Sequence, residues 1–182
     1  QAIALGPGMP PEPYYRAPLY YYLLAGLYSL IGPSVIWARI AGATLGALTS
    51  YLIARLGSNL AGYRAGLCAG ILAALYWPAI YFEGELLTAG LECLLEVTLI
   101  LTLWRATRKS SLPLLVLAGA VWGLCAITRP NFLILAPAIV AWLFLALPGS
   151  KFAARKWLAT AVVCLGAALV IAPVALRNVW VG

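Results

Sequence analysis

The stretch WLATAVVCLGAALVIAPVAL, residues 157–176, runs without a single charge. A bilayer core about 30 Å thick takes roughly 20 apolar residues as a helix, and only a helix or a closed barrel satisfies its own backbone there. Five more stretches of this kind lie upstream, at 34–54 (with Arg39), 65–82, 86–104 (with Glu92 and Glu96), 112–128 and 132–147. None alternates with a period of two, which excludes a barrel. Residues 18–31 are apolar and aromatic but stop short at Gly32-Pro33. That length suits a helix lying in the interface, with Tyr14, Tyr15, Tyr20, Tyr21, Tyr22 and Tyr28 at headgroup level. The expected fold class is therefore all-α, a polytopic transmembrane helix bundle. Residues 1–33 are expected to form an extracytoplasmic loop and interfacial helix, and 34–182 the bundle of six spans.

Composition carries the same message. Of the 182 residues 64% are hydrophobic and 9% charged, with a mean hydropathy of +0.98. A soluble domain is about 45–50% apolar and about 25% charged, so this chain cannot cover its apolar surface in water. The net charge of +7 raises the question of nucleic acid, but the basic residues fall singly or in twos and threes between long apolar runs. That spacing makes no phosphate-tracking patch, and no nucleic-acid partner is expected. Histidine is absent, which removes the commonest neutral-pH base and metal ligand. Cys68, Cys93, Cys125 and Cys164 sit far apart inside apolar runs and read as small hydrophobes.

Basic residues orient the spans. The connections after the first, third and fifth hold Arg55 and Arg64, then Arg105, Arg108 and Lys109, then Lys151, Arg155 and Lys156, with no acid among them. The positive-inside rule makes those connections cytoplasmic and both termini extracytoplasmic, in an inner or plasma membrane of bacterial type. The opposite face carries Glu12, Arg16, Glu83, Glu85, Arg129 and Arg177.

Several of these charges have chemical uses. Glu85, Thr88, Glu92 and Glu96 share one face if a single helix carries all four, and a carboxylate facing lipid costs roughly 2.5–3.5 kcal/mol, so the stripe is expected to face the bundle interior. Within it, Glu85 is expected to reach the outer cavity and Glu96 not. Glu83 and Glu85 close the second span and suit a substrate or a divalent metal, the one cofactor that suggests itself. Arg129 precedes Pro130, which fixes a helix boundary, and its planar fork of donors suits a phosphate. Asn131 lies beside it, and Arg16 beside Tyr15 and Ala17-Pro18 offers a second cationic position with an aromatic neighbour. Gly42 and Gly46, and Gly66 and Gly70, stand at GxxxG spacing and mark faces that a neighbouring helix approaches closely.

Three strings in order, YYRAPLYYYLLAGLY (14–28), YWPAIYFEGELL (76–87) and ITRPN (127–131), with Arg39 in a small-residue helix between the first two, resemble the GT-C superfamily. These are the large membrane glycosyltransferases related to protein O-mannosyltransferases and the aminoarabinose transferase. The resemblance covers essentially the whole chain. It implies a partial GT-C-type fold and an inverting hexosyl- or pentosyltransferase. Such an enzyme moves a sugar from a polyprenyl-phosphate carrier to a protein, lipid or glycan acceptor on the extracytoplasmic face. It also implies a catalytic Asp ahead of the segment matching residues 14–28. The chain has no Asp at all, so that residue is expected upstream of Gln1 and no catalytic residue is assigned here. The substrate-binding candidates are Arg16, Tyr15, Glu83, Glu85, Arg129 and Asn131. The competing class is a transporter or flippase subunit that would use Glu85, Glu92 and Glu96 as an ion path.

Overall fold

The computed structural model describes residues 14, 18–85, 88–147 and 153–181. Among them the regular elements are all helical: α1 Leu19–Ile31, α2 Val35–Ala61, α3 Tyr63–Ala74, α4 Trp77–Gly84, α5 Ala89–Lys109, α6 Leu112–Thr128, a 3-10 turn Pro130–Leu135, α7 Ala136–Ala146 and α8 Ala153–Val181. Two helices, α2 and α8, are long and apolar enough to cross a bilayer, and α3 with α4 makes a third candidate if the bent pair is one span. The fold is an all-α membrane fold. Large apolar side chains stand exposed along it, among them Leu30, Leu145 and Trp180, as lipid-facing surface requires.

The helices follow the apolar stretches, with breaks where the backbone chemistry demands them. The expected second span is bent by 49° between α3 and α4. Pro78 sits in the first turn of α4, where its missing N–H costs no hydrogen bond. The expected fifth span begins as the 3-10 turn after Arg129 and becomes α-helical only at Ala136. α5 begins at Ala89, so Glu85 and Thr88 precede the helix that carries Glu92 and Glu96. The carboxylate stripe is shorter than the spacing predicts.

The chain divides into two compact units, Pro18–Val97 and Thr98–Gly182, the second including Tyr14. In the first, α2 and α3 form a tight antiparallel pair, with Gly57 opposite Gly66 and Ala54 opposite Gly70. A Cβ added at Gly70 would stand 2.6 Å from the Ala54 Cβ, and one at Gly57 would stand 3.0 Å from the Gly66 Cα. Lipid gives helices no hydrophobic reason to associate, so close backbone approach through small residues supplies the attraction. The reversal takes a single residue, Gly62, at φ +89°. Its N–H closes α2 on the Ser58 carbonyl at 3.1 Å, a conformation that side-chain-bearing residues rarely adopt.

In the second unit α6 and α8 run parallel. Gly119 lies on the Val163 carbonyl, and a Cβ at Gly123 would come within 2.8 Å of the Ala167 carbonyl, so the register advances in the same direction on both helices. Gly166 returns the fit against the Val116 carbonyl, with a Cβ distance of 2.8 Å. This register sets Arg129 and Arg177 at one end of the pair and the starts of α6 and α8, with Lys109 and Lys156, at the other. Trp122 is buried and donates from Nε1 to the Phe132 carbonyl at 3.0 Å, anchoring the 3-10 turn to α6. The buried threonines Thr49, Thr102, Thr107, Thr128 and Thr160 all donate to carbonyls of their own helices. That is how a hydroxyl is satisfied without water.

Candidate functional site

The first unit holds a cavity of about 650 Å³ between α2, the bent pair α3–α4 and the first turns of α5. Its walls are mostly apolar, from Ile53, Leu72, Phe82 and Val97, with Thr49, Ser50, Tyr76, Cys93 and two carboxylates, Glu83 and Glu96, set among them. A pocket that is apolar apart from a few convergent polar groups is the usual form of a ligand site.

Glu83 is placed there by the small residues of α2. A Cβ at Gly42 would stand 2.6 Å from the Glu83 backbone carbonyl, and one at Gly46 would coincide with the Glu83 carboxylate. The Gly42–Gly46 notch expected to receive a neighbouring helix thus receives the last turn of α4. Glu83 is half-buried, and no described side chain donates a hydrogen bond to its carboxylate. It also borders a second space, of about 360 Å³, between α1 and α2, lined by Tyr20, Leu24, Thr44 and Leu91. Glu85 closes α4, is exposed and lines neither space. In this unit Glu96 lines the large cavity together with Glu83. Glu92 is turned away from the cavity and buried, and its Oε1 accepts a hydrogen bond from the Thr88 hydroxyl at 2.8 Å.

The second unit holds Arg129 and Asn131. Arg129 ends α6 in extended backbone at φ −152°, as a residue before proline must, and its N–H still closes the helix on the Cys125 carbonyl at 2.8 Å. Both Arg129 and Asn131 are exposed. At the same end of the α6–α8 pair, the Arg177 guanidinium lies 4.0 Å from the centre of the Tyr14 ring. The Asn178 side-chain oxygen accepts from the Tyr14 N–H at 3.1 Å. These contacts tie Tyr14 to the C-terminal end of α8. Tyr15 and Arg16, the two other substrate-binding candidates, lie outside the described residues.

Among the described residues no three Cys, Asp or Glu side chains gather as a metal-ligand set. Thr49, Ser50, Tyr76 and Cys93 line the cavity without having been singled out as site residues from sequence. Thr49 and Ser50 carried one signal: adjacent hydroxyls seven and eight residues after Gly42 on the same helix.

A family model described as dolichyl-phosphate-mannose-protein mannosyltransferase matches residues 15–180. No curated protein and no solved structure matches the chain. The matched range takes in all three strings that carried the resemblance, from Tyr15 of the first to the ITRPN turn at Arg129, and it runs through every described helix. The chain belongs to the dolichyl-phosphate-mannose-protein mannosyltransferase family and is an integral-membrane glycosyltransferase of the GT-C type.

Proposed function

We propose that the protein transfers a sugar from a polyprenyl-phosphate carrier to a protein, lipid or glycan acceptor at the extracytoplasmic face, with inversion at the anomeric carbon. The observation that carries this reading is the Glu83 carboxylate, set on the Gly42–Gly46 notch at the wall of a largely apolar cavity. A lipid-linked sugar is both apolar and rich in hydroxyls. The cavity supplies contact for the apolar part, and Glu83 accepts from sugar or acceptor hydroxyls in surroundings where such bonds are strong. Glu85, one turn position further and exposed, meets the more solvated part of the substrate.

In the displacement, an acceptor hydroxyl bonds to the anomeric carbon as the bond from that carbon to the carrier phosphate breaks. The acceptor loses its proton and the phosphate gains negative charge as it leaves. Arg129, with Asn131 beside it and Arg16 with Tyr15 on the preceding segment, is assigned to that phosphate, because a guanidinium aimed at developing charge lowers the barrier. Family resemblance assigns the proton acceptor to an Asp, and no residue of this chain is given that role.

The test is transfer from a polyprenyl-phosphate sugar by the purified protein in liposomes. Glu83→Gln is expected to lower kcat/KM by about tenfold to a hundredfold, the loss of one charged hydrogen bond or two. Unchanged transfer in Glu83→Gln would remove the assignment of this cavity.

A further inference from the structure

A separate pocket of about 440 Å³ lies at the opposite end of the second unit from Arg129, lined by Trp104, Thr107 and Arg108 of α5 and by Trp142 and Ala146 of α7. The Arg108 guanidinium stands 5.5 Å from the centre of the Trp104 ring, held by its cation–π attraction. Arg108 and Lys109 fill the last turn of α5. Beyond α7, Lys156 at the start of α8 donates to the Phe144 carbonyl and lies over the Phe144 ring, against which Trp157 packs edge-on at 5.1 Å. The described part of this unit contains Arg105, Arg108, Lys109, Arg155 and Lys156 at this end and no acidic residue anywhere. The partial negative charge of the α5 C-terminus is about half an elementary unit, so it balances only a fraction of these cations.

We propose that this pocket binds the phosphate of an anionic phospholipid headgroup. Arg108 with Lys109 next to it on one helix end, two tryptophans and no carboxylate among the described residues of the unit make a site suited to an anion from outside the chain. The tryptophans supply the other half of the argument. Indole rings partition to the headgroup level of a bilayer, with an apolar face toward the acyl chains and an N–H toward the phosphates. Arg108, pre-set over Trp104, offers its fork to a phosphate without first losing much side-chain freedom. Charge bias assigns this end to the cytoplasmic leaflet, where anionic lipids concentrate.

The experiment measures quenching of tryptophan fluorescence in the detergent-purified protein by brominated phosphatidylglycerol, with brominated phosphatidylcholine and inorganic phosphate as comparison arms. Wild type is expected to bind the anionic lipid at least about tenfold more tightly than the zwitterionic one, the discrimination that one charge-assisted pair supplies. Arg108→Gln is expected to abolish that preference, and Arg39→Gln, a basic residue outside this unit, to keep it. Ala146→Trp fills the pocket without altering charge and is expected to abolish it as well, so a misfolded Arg108→Gln still leaves a decisive variant. Equal affinity for both lipids, or an unchanged preference in Ala146→Trp, overturns the proposal. Competition by millimolar inorganic phosphate as effective as by the lipid overturns it in favour of a free-phosphate site.

Discussion

The Glu83 carboxylate occupies the space that a side chain at Gly46 would fill. The missing Cβ of one residue is therefore part of how the other is aimed into the cavity, and the Gly42–Gly46 spacing has two consequences at once. It lets the backbone of α4 approach α2, and it leaves a carboxylate with room to lie on the helix surface.

Gly46→Ala consequently separates activity from stability. Alanine is a better helix former than glycine by about 1 kcal/mol, so the thermal midpoint in detergent is expected to hold or rise slightly. The added methyl must push the Glu83 carboxylate aside, and transfer is expected to fall by as much as in Glu83→Gln. Both variants measured side by side for initial rate and unfolding decide this; full activity in Gly46→Ala would mean that Glu83 works from a different position.

The two carboxylates of α5 should respond differently. Glu92 is buried on the Thr88 hydroxyl, while Glu96 shares the cavity with Glu83. Thr88→Val is expected to destabilise the fold by about 1 kcal/mol, the net value of one hydrogen bond. A double-mutant cycle with Glu92→Gln, read from thermal unfolding, should show coupling between the two. Glu96→Gln is expected to change KM for the donor more than the unfolding midpoint.

Arg129 offers a charge test. Arg129→Ala is expected to lower kcat by about a hundredfold or more, in line with the loss of a donor aimed at developing charge. Arg129→Lys should recover only part, since an ammonium keeps the charge but not the bidentate fork. Full rescue by lysine would mean that charge alone matters, and wild-type turnover in Arg129→Ala would remove the phosphate role.

Packing of α6 on α8 gives a stability prediction with an internal control. Gly119 rests on the Val163 carbonyl, so Gly119→Val forces the helices apart and is expected to cost about 1–3 kcal/mol. Gly26 has nothing within 4 Å of an added Cβ, so Gly26→Ala should be neutral or stabilising by up to about 1 kcal/mol. Thermal unfolding of the two variants reads both.

Much of the architecture is legible in residue types alone, because the bilayer leaves so few choices. An uncharged run of about 20 residues must be helical to satisfy its backbone. Residues 112–128 and 157–176 accordingly lie within α6 and α8. Arg129 at a helix end follows equally directly, since Pro130 forbids helical backbone before it. The GxxxG spacings announced close approach. The three strings at 14–28, 76–87 and 127–131 pointed to the family that the match over residues 15–180 identifies.

Periodicity along one chain says which residues share a face, but not what lies opposite or where a helix starts. Glu85 was grouped with Glu92 and Glu96 on the premise of one continuous helix, and a start at Ala89 removed it from the group. Gly46 was legible as a notch, but not that a carboxylate rather than another helix backbone would lie in it. That depended on the 49° bend between α3 and α4, which carries Glu83 back onto α2. Helicity, membrane embedding and close helix contact are legible along the chain, because hydropathy and backbone hydrogen bonding are local properties. Which carboxylates share a cavity emerges on folding, because it depends on what distant segments place opposite one another.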